Sequence, residues 1–563
     1  MSDRKKLKLV LCWHMHQPEY RDTQSGEFKL PWTYLHVIKD YVDMIAHLES
    51  VPAAKAVVNF APILLEQIEA YSNQVSAYLS HQTPIKDPLL AALVAPQVVA
   101  DAELRLKLLH DCRKANRERQ INRYPAFRKL TEMSEWIQNH QDGLNYLNDP
   151  FFNDILVWYH LVWMGETVKR NDSRIQRLID KGKGFTRHDR LEIMQVIAEL
   201  LSKVLYRYKA LARKGRIELS VTPYAHPIMP LMLDIGCARE AMPDASLPNL
   251  AAYPGGEERV RWHLRYGVDT FKHFFGFKPQ GCWPSEGSVS ESTLRVLADF
   301  GFKWAASGGN VLHNSLRVSG ISDGVSVHHP FKLPTSEIVS FFRDDGLSDL
   351  IGFEYSKWHA DDAVADLIQH LENIANHQEV LPVVSIIMDG ENAWEYFPDN
   401  GYYFLQALYQ RLSEHPQIEL TTFSECLQQQ VVIKELPKLM AGSWVYGTFS
   451  TWIGDADKNY GWDMLGDVKQ AFDKVVAQGR LSESELALAQ IQLAVCEGSD
   501  WFWWFGDYNP GEAVSDFEKQ YRLNLTNLYK LLGEQPPAYL ALSFTQGSGD
   551  PAMGGAMRRG NEI

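Results

Sequence analysis

The chain has 563 residues, of which 45% are hydrophobic and 22% charged, with a formal net charge of −14. This length exceeds one ordinary core and predicts two or three domains with the composition of a soluble globular protein. The acidic balance disfavours nucleic acid as a partner and suits a neutral substrate; no apolar stretch of about 18 residues appears, so no membrane partner or span is expected.

The N-terminal MSDRKKLKLVLCWHMHQ starts basic, but its apolar run is short, is interrupted by His14 and His16, and meets no small-residue cleavage site. A cytoplasmic protein is expected. The six cysteines are scattered without a C-x-x-C pair, which fits reduced, mostly buried thiols. Strand-length apolar runs then recur: KLVLCWH at 8–14, KAVVNFAP at 55–62, RIELSVTP at 216–223, PQGCWPSE at 279–286, FKWAASGG at 302–309, LIGFEYSKW at 350–358 and LPVVSIIMDGE at 381–391. Strands alternating with helical patterns predict a parallel sheet with helices outside. Seven such units suggest a barrel one unit short of the eight-fold kind, with an open doubly wound sheet as the competing architecture. Residues 63–214 are long, charged and helical in period and predict an insertion between the second and third strands. After residue 430 the pattern turns helical again, predicting a barrel domain over 1–430 and a C-terminal helical domain over 431–545 that contributes to the cleft. The Gly-rich stretch 546–563 is expected to be loosely ordered.

Sites in parallel barrels and sheets form at the C-terminal strand ends. Here those ends carry His14 and His16, Glu218 followed by Tyr224 and His226, Trp283 and Glu286, and Asp389, Glu391 and Trp394. A carboxylate directly after an apolar run must reach a cleft or find partners, because burying it alone is costly. Two carboxylates on facing strand ends suit glycoside hydrolysis, one attacking the anomeric carbon while the other protonates the leaving oxygen. Trp283 and Trp394 then offer faces for sugar C–H groups, with core packing as their alternative role. Two further aromatic clusters, GSWVYGTFSTWIGDADKNYGW at 442–462 with Trp452 and EGSDWFWWFGDYN at 497–509 with Asp500 and Trp501, are either a glycan platform over the barrel mouth or an interdomain packing patch.

His14, His16, Glu218 and Asp389 also compose a legitimate zinc or manganese set, which would make the protein a metal-dependent hydrolase or deacetylase. A lone His-x-His without an H-E-x-x-H helix is weak support for it. A non-catalytic sugar-binding protein is the third class, needing the aromatics but neither acid nor nucleophile.

The ordered set HMHQPEY, GRIELSVTPYAHPIMP, GCWPSEGSVS, IMDGENAWEYF and CEGSDWFWWFGD resembles the five sequence regions of glycoside hydrolase family 57, in the wording of its amylopullulanase and α-amylase branch. The resemblance implies an incomplete (β/α)7 barrel with a helical insertion and a C-terminal α-helical domain, acting on α-glucans with retention and without a metal or cofactor. It implies Glu286 as nucleophile and Asp389 as general acid/base, with His14, His16 and Glu218 lining the subsite of the attacked sugar and Trp283 beside the nucleophile; His226, Trp394, Trp452, Asp500 and Trp501 are the further substrate-binding candidates. The same carboxylate pair serves 4-α-glucanotransferases and branching enzymes, so hydrolysis and transfer, like α-1,4 and α-1,6 linkage, stay open at this point. So does the oligomeric state.

Overall fold

The computed structural model describes residues 6–96, 101–321, 325–377, 380–549 and 557–560. Its strands are β1 (Leu7–Met15), β2 (Ala56–Phe60), β3 (Ile217–Val221), β4 (Gly281–Cys282), β5 (Trp304–Ser307), β6 (Phe331–Lys332), β7 (Val339–Phe342), β8 (Val383–Asp389), β9 (Ile418–Leu420) and β10 (Lys434–Glu435). They form one sheet in the order β10-β6-β7-β5-β4-β3-β2-β1-β8, with β9 beside β1. Every pairing is parallel except β6 with β7. The nine residues of β1 are all buried, as expected of a central parallel strand covered on both faces.

The sheet curls until its ends meet. A single parallel bridge joins Arg343, just past β7, to Ser385 on β8, and the Asp344 N–H donates to the Ser385 carbonyl at 2.8 Å. The parallel strands β8, β1, β2, β3, β4, β5 and β7 thus complete a seven-stranded ring held at its seam by one bridge. This is the incomplete (β/α)7 barrel. Among the described residues the elements between Pro62 and Arg213 are all helical, and further helices span Ala456–Ala477, Glu483–Cys496, Ser499–Trp504 and Gly511–Leu531. No described helix is long and apolar enough to cross a membrane. All six cysteines are free and buried.

Alternation along the strands sorts side chains between the two sides of the barrel wall. Inside lie Val10, Cys12, Val57, Trp304, Phe341 and Ile387, plugged from below by Phe423 of helix Phe423–Gln428, whose ring is 4.4 Å from that of Trp304. The register stacks this interior in layers. Cys12, Val57, Glu218 and Ile387 pair at one level; His14, Asn59, Ser220 and Asp389 pair two residues further on, at the open end.

Two expectations are corrected. LIGFEYSKW is not a strand: Asp344 caps helix Asp345–Asp349 by accepting from the Leu347 N–H, and the helical path runs on through Leu350–Glu354 and Tyr355–Lys357. The barrel strand of that unit is VSFF, Val339–Phe342, a shorter and wholly buried run. Nor is 546–563 loose throughout. Ser548 N–H donates to the Asp507 carbonyl at 2.8 Å, Gly549 N–H to that of Asn509 at 3.1 Å, and Met557 is buried. Residues 550–556 and 561–563 lie outside the described residues.

Candidate active site

Where the strands end, the chain turns sharply. Between β4 and helix Glu291–Asp299, Glu286 takes a left-handed conformation (φ +57°) and Gly287 follows with φ +58°. After β3, His226 is also left-handed, at φ +62°. Non-glycine residues held there cost of order 1–3 kcal/mol each and persist where surrounding contacts over-determine them, which is common at functional sites.

These turns bring Glu286 and Asp389 into one cleft of about 480 Å³, shared with His14, His16, His226, Glu391 and Asp500. Trp444 holds Glu286 twice. Its backbone N–H donates to the Glu286 carbonyl at 3.1 Å, and its indole N–H donates to Glu286 Oε2 at 2.9 Å. The segment reaches that position through an antiparallel bridge between Gly442 and Val289. Asn392 Nδ2 donates to Asp389 Oδ2 at 2.9 Å. Burial, followed by the charges of Asp389 and Asp500, pushes the Glu286 carboxyl well above its ordinary range against the pull of the Trp444 N–H. Burial also raises Asp389, while Asn392, His16 and Arg343 oppose the rise. Both carboxyls are therefore raised, chiefly because burial in a low-dielectric cleft disfavours their ionised forms.

The histidines form a relay whose tautomers follow from its ends. Asn59 Nδ2 donates to Ser220 Oγ at 3.0 Å, so its Oδ1 is the acceptor facing His14 Nδ1 at 2.7 Å. His14 accordingly carries its proton on Nδ1 and accepts at Nε2 from His226 Nε2, 3.1 Å away. His226 Nδ1 is then an acceptor for the Ser499 hydroxyl at 2.8 Å. Both rings are neutral, in keeping with burial lowering His14 to about 3 and His226 well below its ordinary value. The 3.8 Å approach of Glu286 Oε1 to His226 Nδ1 is therefore not an ion pair. His16 stacks on His226 with centroids 3.9 Å apart, and its Nε2 donates to Asp500 at 2.9 Å. That leaves His16 Nδ1 buried without a hydrogen-bond partner.

The weighed metal set is not assembled. Glu218 lies one barrel layer below the cleft, where it accepts from the Ser424 N–H at 2.9 Å and the Trp304 indole N–H at 2.8 Å. It holds the start of the plugging helix and does not line the cleft, which corrects its assignment to substrate binding. Among the described residues His16, His226 and Asp500 do place ligand atoms within 4.8 Å of one another. Yet each His226 nitrogen is already engaged, so a metal there would have to break the relay. Activity is expected to survive exhaustive dialysis against EDTA; loss on chelation and recovery with added zinc or manganese would restore the metal reading.

Of the predicted substrate residues, His14, His16, His226 and Asp500 meet at the cleft, although His14 has both ring nitrogens spent on Asn59 and His226 and acts by position. Trp283, Trp394, Trp452 and Trp501 do not line it. All are buried in packing; Trp394 sits against Trp13 and Trp501 donates its indole N–H to the Val495 carbonyl. The tryptophans that line the cleft are Trp444, Trp503, Trp504, Trp32 and Trp163. The aromatic clusters were the right segments, with the wrong rings chosen, because helix Ser499–Trp504 turns Trp501 inward and Trp503 and Trp504 toward the cleft. Asn59, Ser499 and Arg343 were missed; Asn59 alone carried a signal, as a polar residue inside the apolar run VVNF.

The sequence profile of Glycosyl hydrolase family 57 matches residues 10–439. The chain belongs to this family. Among solved structures it is similar to a family 57 branching enzyme from Thermococcus kodakaraensis in complex with glucose, at 14% identity and a TM-score of 0.56 over 96% of this chain and 92% of that one. It is also similar to the α-amylase AmyC from Thermotoga maritima (13% identity, TM-score 0.56, 94% and 93% covered). The 4-α-glucanotransferase from Thermococcus litoralis follows at 13% identity and a TM-score of 0.50, with 93% of this chain and 60% of that one covered. No curated protein matches the chain in sequence. At identities this low, the structural likeness shows the fold alone.

Proposed function

We propose that the chain is a retaining glycoside hydrolase that cleaves α-glucosidic bonds, α-1,4 links foremost, in starch- or glycogen-type glucans. The observation that carries this reading is the pairing of Glu286 and Asp389 in one cleft walled by aromatic rings. Glu286 Oε2 is held by the Trp444 indole N–H, so Oε1 is the attacking oxygen. It forms the bond to C1 while the bond from C1 to the leaving oxygen breaks, and Asp389 delivers its proton to that oxygen. Asn392 occupies Asp389 Oδ2, which assigns the proton to Oδ1. Asp389 then takes a proton from water as the water oxygen attacks C1 and Glu286 leaves. A sugar hydroxyl hydrogen-bonded to the unpaired His16 Nδ1 would satisfy a buried polar atom and orient the ring.

Transfer to a second sugar shares the first of these half-reactions and differs only in the acceptor. Release of reducing ends from amylose, pullulan and maltooligosaccharides is the deciding measurement, with the fresh product's anomeric configuration read by NMR. New reducing ends in the α configuration are expected. Chain-length redistribution without new reducing ends would replace hydrolysis by transfer, and no change in any α-glucan would remove both.

Trp444→Phe tests the assignment of the nucleophile. The indole N–H stabilises ionised Glu286, and a hydrogen bond to a charged group is worth about 1.5–3 kcal/mol. Its loss is expected to move the acid limb of the kcat/KM profile upward by about 1–2 pH units, at 1.36 kcal/mol per unit. An unmoved acid limb would contradict that role.

A further inference from the structure

Residues Met557–Gly560 return to the barrel mouth, and two of them, Met557 and Arg558, line the catalytic cleft. Successive side chains grip opposite rims. The Arg558 guanidinium lies 5.6 Å from the Trp503 ring centroid and donates to Asn509 Oδ1 at 3.0 Å, both on the C-terminal helical side. Arg559 donates to Glu354 Oε1 at 2.7 Å and lies over the Phe353 ring at 4.8 Å, on the barrel side. Gly560 is the pin. Its N–H donates to Asp349 Oδ2 at 2.9 Å, and its carbonyl accepts from the Tyr446 N–H at 3.1 Å and from Asn310 Nδ2 at 2.8 Å. A Cβ at this position would stand 2.8 Å from Asp345 Cγ and 2.9 Å from Asp345 Cβ, so only glycine seats here without displacement.

Such a docking is more than a loose end settling on a surface. It uses the backbone of one residue on three partners, fits a glycine into a space closed to other residues, and presents a thioether and a guanidinium beside a tryptophan. A planar guanidinium next to an aromatic face matches a pyranose ring, offering a fork of donors to vicinal hydroxyls and an apolar face to C–H groups. We propose that Met557–Gly560 is a built wall of the glucan cleft, in which Met557 and Arg558 bind sugar units away from the bond being cleaved and so set the preferred chain length. This rests on the α-glucan reading given above.

Interactions made equally with substrate and transition state appear in KM and leave kcat unchanged. Arg558→Ala is therefore expected to lower kcat/KM for maltoheptaose about five- to tenfold, almost wholly through KM, with kcat within about twofold and a much smaller effect on maltotriose. Gly560→Val, which unseats the segment without altering a side chain in the cleft, should reproduce that pattern. A third readout needs no turnover: in Glu286→Gln protein, bound maltoheptaose should slow tryptic cleavage after Arg558 and Arg559 several-fold. Parent activity on α-glucans with KM and protease protection unaffected would overturn the wall alone. A parent chain inactive on every α-glucan would remove the proposed function and the wall with it. A fall in kcat equal for all chain lengths, together with a lowered thermal midpoint, would reassign the segment to structural support.

Discussion

Glu286→Gln is expected to lower kcat by at least about a hundredfold, the lower end of general acid–base effects, and at the same time to raise the thermal midpoint at neutral pH. The first effect follows because an amide cannot form the bond to C1. The second follows from the raised carboxyl of Glu286, which burial and the neighbouring charges of Asp389 and Asp500 disfavour in its ionised form. A folded-state value above the unfolded one contributes stability that is present below about pH 4.5 and is lost as pH rises through the raised value. Glutamine has no proton to lose and still accepts from the Trp444 indole. The difference in midpoint, variant minus parent, should thus be near zero at pH 4 and grow toward pH 8. Asp389→Asn is expected to follow in both respects, with the smaller stability gain because Asn392, His16 and Arg343 already compensate its charge. Near-parental starch hydrolysis by either variant would end the assignment of the pair, and a variant-minus-parent difference in midpoint that stays flat or shrinks with rising pH would contradict the penalty on buried charge.

Glu497→Ala is expected to cost about 3–5 kcal/mol of stability, the range for breaking a buried ion pair from one side. Glu497 has a fully buried side chain and three partner residues. Arg259 donates from Nε to Oε1 and from Nη2 to Oε2, each at 2.8 Å; the Tyr253 hydroxyl donates to Oε1 at 2.6 Å, and His263 Nε2 to Oε2 at 2.7 Å. Burial alone would raise this carboxyl, but Arg259 and His263 hold it down at about 2. A depressed value gives stability present above the unfolded value and lost as pH falls through the folded one, so the cost should be constant above about pH 5 and shrink between 4.5 and 2. Glu497→Gln, which keeps the shape but leaves Arg259 uncompensated, should be destabilised as well; tolerance of Gln would reduce the cluster to packing. The denaturant midpoint at constant m-value is the measurement. Activity should fall with stability, because Ser499 and Asp500, which hold His226 and His16, begin two residues later.

These two sites show how unevenly the chemistry could be read from the chain. The seven-fold alternation of apolar runs and helical patterns, the helical stretch between the second and third strands, and the position of Glu286, Asp389, His14, His16 and His226 at strand ends are local features. Strand length, period and turn residues carry them, and, LIGFEYSKW excepted, they hold in the folded protein. LIGFEYSKW misled because an apolar run of that length suits a buried helix as well as a strand, and the cap at Asp344 settled it. Glu218 and the tryptophans misled for a different reason. Type and segment were legible, but which barrel layer Glu218 occupies depends on register with β2, and which ring of WFWW faces the cleft depends on how its short helix docks.

By itself, then, the sequence determined the periodicities that make a parallel barrel with helical additions, and the residue types its rim would carry. The tertiary structure alone decided the tautomers of the histidine relay, the pairing of Trp444 with Glu286 and the return of Met557–Gly560 to the mouth. The physical reason is separation along the chain. Periodicity is set by neighbours a few residues apart, whereas a hydrogen bond between residues hundreds of positions apart exists only once the sheet has curled and closed its ring.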